Sequence, residues 1–405
     1  MTKIPVPWPV YSGTAADRVS DLVRSGAVFD YTGRGPVADL ERRLEERYCA
    51  EYALTLNSGT SAIFVALSAL GVEPGDEVVV AGWTFLAAVT PLLWLGAAPV
   101  LADVAPGQPV ATAATIAEAI TPRTRAVLVT HLYGEPVDTK SLHELLAPLD
   151  IALIEDCSHA HASEVGGRPP GAWADAAILS LGARKLVSGG HGGALVTRSR
   201  RLYETALMVG HSKPRTRREF AGAPEAPHAE LGLGGNLRMS PLAAVLILDH
   251  LSRVEELSDA RVENAGVLEE ALAPLAVPLR SQAPGENRTY FDLVWVLPAG
   301  DGAEQRDAAI AALNDLGVPA RQVSTRPLSR TLRNIEAKGE AHPGRFWPEL
   351  EAWATGCRLL PEAEALHDRA ISLPSEFFYE AGAPYARHLA EGLEQARAEG
   401  MLWAT

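Results

Sequence analysis

From Asp76 to Ser158 the chain repeats one pattern, a short unbroken apolar run followed by a stretch with apolar residues at helical spacing. EVVVAG, APVLADV, RAVLVTHLYG and IALIEDCS read as strands, and Thr84–Leu95, Ala111–Ala119 and Lys140–Leu146 as the helices between them. Strands that are apolar at every position have no face for water. Strands joined through helices run parallel, so this pattern predicts a mainly parallel sheet with helices on both sides. Ligands in such sheets bind beyond the carboxyl ends of the strands. Trp83, His131, Tyr133, Asp156, His159 and Lys185 are the reactive residue types just past those ends.

The next stretch, Ala177 to Thr197, reads as strand, active loop, strand: an apolar run, a break at Gly182, one lysine, four clustered glycines and a second apolar run. Lys185 is one of five lysines in a chain with 36 basic residues, the rest arginines. An arginine does not shed its proton in a protein, whereas a desolvated lysine does, and only lysine forms a Schiff base. A solvated loop lysine is the alternative. Upstream, a short strand leads into Asn57-Ser58-Gly59-Thr60-Ser61 and an apolar helix from Ala62 to Leu70. Small residues at a helix start leave backbone N–H groups open to an anion, with the helix dipole adding to the attraction, so this turn is either a phosphate cradle or an ordinary N-cap.

Asp156 ends an apolar strand and needs a cationic or proton-donating partner there. The alternatives are a helix N-cap, a structural salt bridge, or a metal held with His159 and His161. The metal reading leaves Lys185 and the cradle unused.

The net charge of −14 and the absence of any basic block argue against nucleic acid and anionic membranes as partners. No run reaches the roughly 18 apolar residues of a membrane span, and the N-terminus is broken by prolines, so a cytoplasmic protein is expected. Cys49, Cys157 and Cys357 are odd in number and far apart, which fits reduced thiols. After Thr197 the pattern predicts a helix to about Val209 and then a mobile polar loop, His211–Pro227. A long helix follows from Pro241 through Glu256 and past Ser258. Beyond it lie an α+β remainder with a strand at Phe291–Leu297, a helix at Ala303–Leu316, a loop region rich in Arg, Trp and Pro, and a terminal helix from about Tyr385 to Gly400. The expected division is residues 1–250, an arm and large domain, and 251–405, a small C-terminal domain.

Phosphate cradle, aromatic, acid and lysine thus follow one another in the order that suits pyridoxal 5′-phosphate. The phosphate falls to Gly59-Thr60-Ser61, the ring face to Trp83, the pyridine nitrogen to Asp156 and the aldehyde to Lys185.

At NSGTSAIFVAL, GVEPGDEVVVAGWTF, GAAPVLADV, HLYG, IEDCSHAHAS, SLGARKL with GGHGG, and GGNLRMSPLAA the chain resembles the DegT/StrS-type, fold-type I aminotransferases. The resemblance spans most of residues 30–260 and continues faintly to AISLPS. It implies Lys185 as Schiff-base lysine and proton shuttle, Asp156 on the pyridine nitrogen and His159 toward the ring hydroxyl. Ser180 with Ser58, Gly59 and Thr60 would hold the phosphate, and Asn236 would reach the phosphate of a partner subunit, hence a homodimer with shared active sites. The implied reaction is ping-pong transfer from L-glutamate or L-glutamine to a cyclic ketone, a keto-sugar or keto-cyclitol, in natural-product biosynthesis. His159 stands where sugar-nucleotide members often have glutamine, as in enzymes of carbocycles. His191 replaces the usual glutamate of the glycine turn. Arg238, Arg321 and Arg326 are candidates for the donor carboxylate, and Tyr133 and His211 for the acceptor pocket.

Other readings are a dehydratase of the same family, which a histidine in place of the lysine would signal, and a non-catalytic PLP-binding protein. A nicotinamide-dependent enzyme is disfavoured because the Ser58-Gly59-Thr60 turn lacks spaced glycines.

Overall fold

The computed structural model describes residues 8–222, 226–274, 276–282, 288–298, 302–331, 359–374 and 383–398. Seven strands form the main sheet: β1 (Tyr52–Leu56), β2 (Glu77–Ala81), β3 (Ala98–Ala102), β4 (Thr124–Thr130), β5 (Ala152–Asp156), β6 (Ala176–Ser180) and β7 (Gly193–Thr197). Their order is β1-β7-β6-β5-β4-β2-β3. Only β7 runs against the others, pairing antiparallel with β1 and β6. Because residues alternate across a strand, Val78 and Val80 face one helical layer, with Ala62 and Ala66, while Val79 and Ala81 face the other, with Leu142 and Leu146. Both faces are therefore dry, as the unbroken apolar runs require.

A second, antiparallel sheet has the order β10 (Arg321–Gln322), β11 (Ala370–Pro374), β9 (Asp292–Val296), β8 (Val277–Pro278). Leu293, Trp295, Ile371 and Leu373 from it pack with Leu389 and Leu393 of the helix Ala383–Ala398 in a core of their own. The helix Val254–Leu272 links the two cores: Val254 and Leu257 belong to the large one, Ala265, Leu268 and Leu272 to the small one. Among the described residues no helix is long and apolar enough to cross a membrane. Cys49 and Cys157 are free thiols, and Cys357 lies outside the described residues.

Several expected elements take a different form. The helix predicted from Thr84 is a 3-10 turn, Leu86–Ala88, and then a helix Thr90–Leu95 with Pro91 in its first turn, where a missing N–H costs nothing. The strand predicted through Gly134 stops at Thr130: His131 leaves extended geometry (φ −74°, ψ 70°) and the chain enters a 3-10 turn, Leu132–Gly134, with Tyr133 left-handed at φ 59°. The long helix from Pro241 ends at Leu251, and a new one starts at Val254. The predicted mobile loop after His211 contains the helix Lys213–Glu219, anchored by Arg215. That guanidinium is buried against Glu41 (2.8 and 2.9 Å) and Glu219 (2.8 Å), and two carboxylates make its burial tolerable. Most of the Arg, Trp and Pro-rich loop region, 332–358, lies outside the described residues, as does the predicted end of the terminal helix past 398.

Candidate active site

Three segments meet at the carboxyl end of the sheet. Ser58 leaves β1 in extended conformation and caps the helix Gly59–Ala69, its Oγ accepting the Ser61 N–H at 3.1 Å and donating to Ser61 Oγ at 2.9 Å. The Ala62 N–H closes on the Ser58 carbonyl. No hydrogen bond among the described residues takes up the N–H of Gly59 or Thr60. A Cβ on Gly59 would lie 3.0 Å from Ser180 Cβ, and one on Gly193 would lie 2.5 Å from Gly59 N and nearer still to the Ser58 carbonyl. Glycine at both positions lets the end of β6 and the start of β7 close on the helix start. The result is a concave turn with two open N–H groups and a serine hydroxyl beside it, suited to a phosphate.

Ser180 is itself fixed by its backbone. Its N–H donates to Ser158 Oγ (3.1 Å) and its carbonyl meets His161 Nε2 (2.9 Å). Asp156, at the end of β5, is buried, and its Oδ1 accepts the Ser158 N–H at 3.0 Å. Lys185 follows a turn in which its own N–H bonds the Gly182 carbonyl. Burial lowers its amine to a pKa of about 8, with Arg184 adding to the fall and Asp156 and Asp292 opposing it. The amine sits 4.4 Å from the centroid of Phe291, and on that ring His159 stacks at 3.7 Å and 4°. His159 Nδ1 accepts the Tyr133 N–H at 3.2 Å, which leaves Nε2 to carry the proton. Burial and the neighbouring cations Lys185, Arg184 and Arg261 hold the ring neutral.

Trp83 is buried edge-on to Tyr133 (6.0 Å) and His367 (6.2 Å), with Nε1 donating to the Thr325 carbonyl at 2.9 Å. The Tyr133 hydroxyl is buried beside it without a hydrogen bond of good geometry. Arg321 is ion-paired with Asp292 at 3.1 Å, next in sequence to Phe291. Arg238, whose backbone bridges Leu56 at the end of β1, lies over Tyr31 at 4.3 Å and bonds Ser212. His211 Nε2 meets the Thr55 carbonyl at 3.0 Å behind β1, where burial lowers its pKa to about 3. Asn236, His191 and Arg326 are exposed.

The metal reading finds no geometry. His159 Nδ1 and His161 Nε2 are both committed to backbone groups, and Asp156 does not join them in a ligand cluster among the described residues. The cluster that does occur there is His131, Glu155 and Cys157, entirely buried. Within it, His131 Nε2 meets Glu155 at 2.7 Å, and Glu155 also accepts the Gly171 N–H. Phe291 and Asp292 were missed by sequence reasoning. Phe291 gives no local signal, but Asp292 does, as a lone carboxylate within an apolar strand.

The family profile described as the DegT/DnrJ/EryC1/StrS aminotransferase family matches residues 12–375. The chain belongs to that family. It is a PLP-dependent aminotransferase with the fold-type I architecture. It is 33% identical to the L-glutamine:scyllo-inosose aminotransferase of Streptomyces griseus over 72% of this chain and 70% of that one. It is 30% identical to the L-glutamine:2-deoxy-scyllo-inosose aminotransferase of Streptomyces fradiae over 96% of each. The solved structure of 3-amino-5-hydroxybenzoic acid synthase matches with a TM-score of 0.78 and 26% identity, covering 98% of this chain and 99% of that one. The aminotransferase's glycine-lined cradle, its buried carboxylate and its lysine of lowered pKa fit pyridoxal phosphate as a donor set.

Proposed function

We propose that this enzyme moves the amino group of L-glutamine, or of L-glutamate, to a cyclic ketone of the scyllo-inosose kind in natural-product biosynthesis, working in the cytoplasm as a homodimer. The observation that carries the proposal is Lys185, whose amine lies 4.4 Å from the Phe291 ring on which His159 stacks and is lowered by burial to a pKa of about 8 against the opposing field of Asp156. The names and near-full-length coverage of the cyclitol aminotransferases support the substrate class. The bound cofactor supplies an electron sink for the bond broken at the donor α-carbon.

Each side chain then has a defined task. Lys185 holds the cofactor and, when released as a free amine, takes the donor α-proton and returns it. A pKa near 8 leaves a useful fraction neutral at physiological pH. Asp156 keeps a proton on the ring nitrogen, and neutral His159 donates from Nε2 toward the ring hydroxyl. Ser58, Ser180 and the open N–H groups of Gly59 and Thr60 hold the phosphate, Ser61 completes the helix turn, and Trp83 with Tyr133 walls the ring side. Asn236 reaches toward the partner subunit's phosphate. The exposed Phe29, Phe85 and Leu233 are apolar surface that a second copy would cover.

The test is a pair of half-reactions on the purified holoenzyme. L-glutamine should bleach the visible cofactor band, and scyllo-inosose should restore it. A band that neither L-glutamine nor L-glutamate bleaches would overturn the proposal. Mixing inactive Lys185→Ala and Asn236→Ala protomers should restore part of the activity if sites are shared, and no restoration would refute sharing.

A further inference from the structure

The residues that follow Lys185 are seated on one face of the helix Pro241–Leu251. Leu186 and Val187 are buried in one core with Ala244, Ile247 and Leu251. Gly189 lies so close to that helix that a Cβ on it would meet Ile247 Cγ1 at 2.7 Å and the Ala243 carbonyl at 2.8 Å. Ala243, Ile247 and His250 fall at the helical spacing that puts side chains on a common face. His250 completes the seat: its Nδ1 accepts the Ser188 N–H at 3.2 Å. Nε2 therefore carries the proton and donates it to the Val10 carbonyl at 2.9 Å. Burial lowers the pKa of this ring and keeps it in the neutral form that accepts at one nitrogen and donates at the other. The N-terminal arm braces the imidazole from the far side. Tyr11 stacks on it at 4.7 Å, Trp8 lies 5.0 Å away, and Ser12 bonds Asp249, the residue before it.

The loop that carries Lys185 is also closed on itself. The Leu181 N–H meets the Gly192 carbonyl and the Gly189 N–H meets the Leu181 carbonyl, each at 2.9 Å, while the Lys185 N–H meets the Gly182 carbonyl at 3.0 Å. A closed loop shifts as a unit, so what fixes Ser188 also fixes the point from which the amine extends. Resting on the role given to Lys185 in the function proposed above, we infer that His250 is a positioning residue for the reaction, tying the lysine loop at Ser188 to the helix and to the N-terminal arm. Misplacing reacting groups by about 1 Å costs on the order of a hundredfold in rate. The same amine moves the proton in both half-reactions, and His250 is buried beneath the loop, away from either substrate. Its loss therefore slows both half-reactions by a similar factor and leaves the half-saturating concentrations of both substrates as they are.

Two amides separate the two bonds of the ring. The oxygen of asparagine stands where Nδ1 does and accepts the Ser188 N–H. The nitrogen of glutamine stands where Nε2 does, so it keeps Val10 and leaves Ser188 unmet. The experiment uses full-length His250→Asn and His250→Gln, loaded with PLP, in single turnovers with L-glutamine and with scyllo-inosose followed by cofactor absorbance. The rate at which each apo-enzyme captures PLP is the readout that needs no substrate. His250→Gln should slow both half-reactions about tenfold or more, with half-saturating concentrations within about twofold of wild type, and should slow capture as well. His250→Asn should stay within about threefold of wild type in all of these rates. Wild-type rates in His250→Gln, a loss confined to one half-reaction, or equal losses in the two variants would overturn the inference. A purely structural role predicts a lower thermal midpoint with unchanged rates per bound cofactor, which would overturn it too. If wild-type enzyme ignores L-glutamine and L-glutamate, the proposed function falls, whereas the capture rates still decide the role of His250. Should His250→Gln fail to fold, Gly189→Ala, which pushes the same loop off the Ala243 carbonyl, must give the same pair of slowed half-reactions, and wild-type rates there would overturn the inference.

Discussion

Replacing Gly193 by alanine tests the cradle through one methyl group. The glycine does not have a left-handed φ, so alanine brings no backbone strain, only its volume. Its Cβ would stand 2.5 Å from Gly59 N, and closer to the Ser58 carbonyl, where ordinary contact begins at 3.4 Å. All three neighbours are backbone, so relief requires moving the helix start off β7 by about 1 Å. Overpacking of this kind costs about 1–3 kcal/mol, and the displaced groups are the N–H donors of the cradle. Titrating apo-enzyme with pyridoxal phosphate should show affinity weakened about tenfold to a hundredfold, at 1.4 kcal/mol per factor of ten. Gly266→Ala is the matched control. It sits in the helix Val254–Leu272 with nothing within 4 Å of the added carbon, and should leave affinity as in wild type. Wild-type affinity in Gly193→Ala would refute the close approach as the cradle's basis.

The Lys185 pKa of about 8, lowered from 10.5, implies two pH effects. Capture of pyridoxal phosphate by apo-enzyme should speed up as pH rises through about 8, and Asp156→Asn should move that midpoint lower, because Asp156 supports the charged amine. A midpoint near 10.5 would contradict the burial of the amine. Between pH 8 and 10.5 the unfolded chain holds more protons at this residue than the folded one, so this group's contribution makes apo-enzyme stability rise with pH across that window, measurable by denaturant titration. Arg215→Ala would leave Glu41 buried without its cation and should cost about 3–5 kcal/mol. That would appear as a lower thermal midpoint and a helix Lys213–Glu219 open to proteolysis, and an unchanged midpoint would refute the anchoring role.

The main sheet was legible because strands buried on both faces leave unbroken apolar runs, and the candidate residues at their ends follow from topology. Ser58 is the N-cap of its helix, and the phosphate-cradle proposal rests on the N–H groups of Gly59 and Thr60 beside it. What escaped depended on distant pairing. Arg215 looks like a loop residue until Glu41, 174 residues away, is known to meet it. Phe291 comes to Lys185 from another sheet, and nothing local in its strand announces a ring under an amine. Arg321 and Arg238 are alike in sequence, but their partners differ: one pairs with Asp292 near the lysine, the other lies over Tyr31. The strand before Tyr133 ended at Thr130, where its composition would have carried it further, because the backbone turns from His131 onward.

The central claim is that Lys185 holds the cofactor and moves the proton, and borohydride reduction of the holoenzyme followed by peptide mass analysis tests it most directly. The account predicts a pyridoxyl adduct on Lys185, lost when L-glutamine is added before the reductant, and no adduct in Lys185→Ala. An adduct on any other lysine, or one on Lys185 that no amino donor displaces, would contradict it.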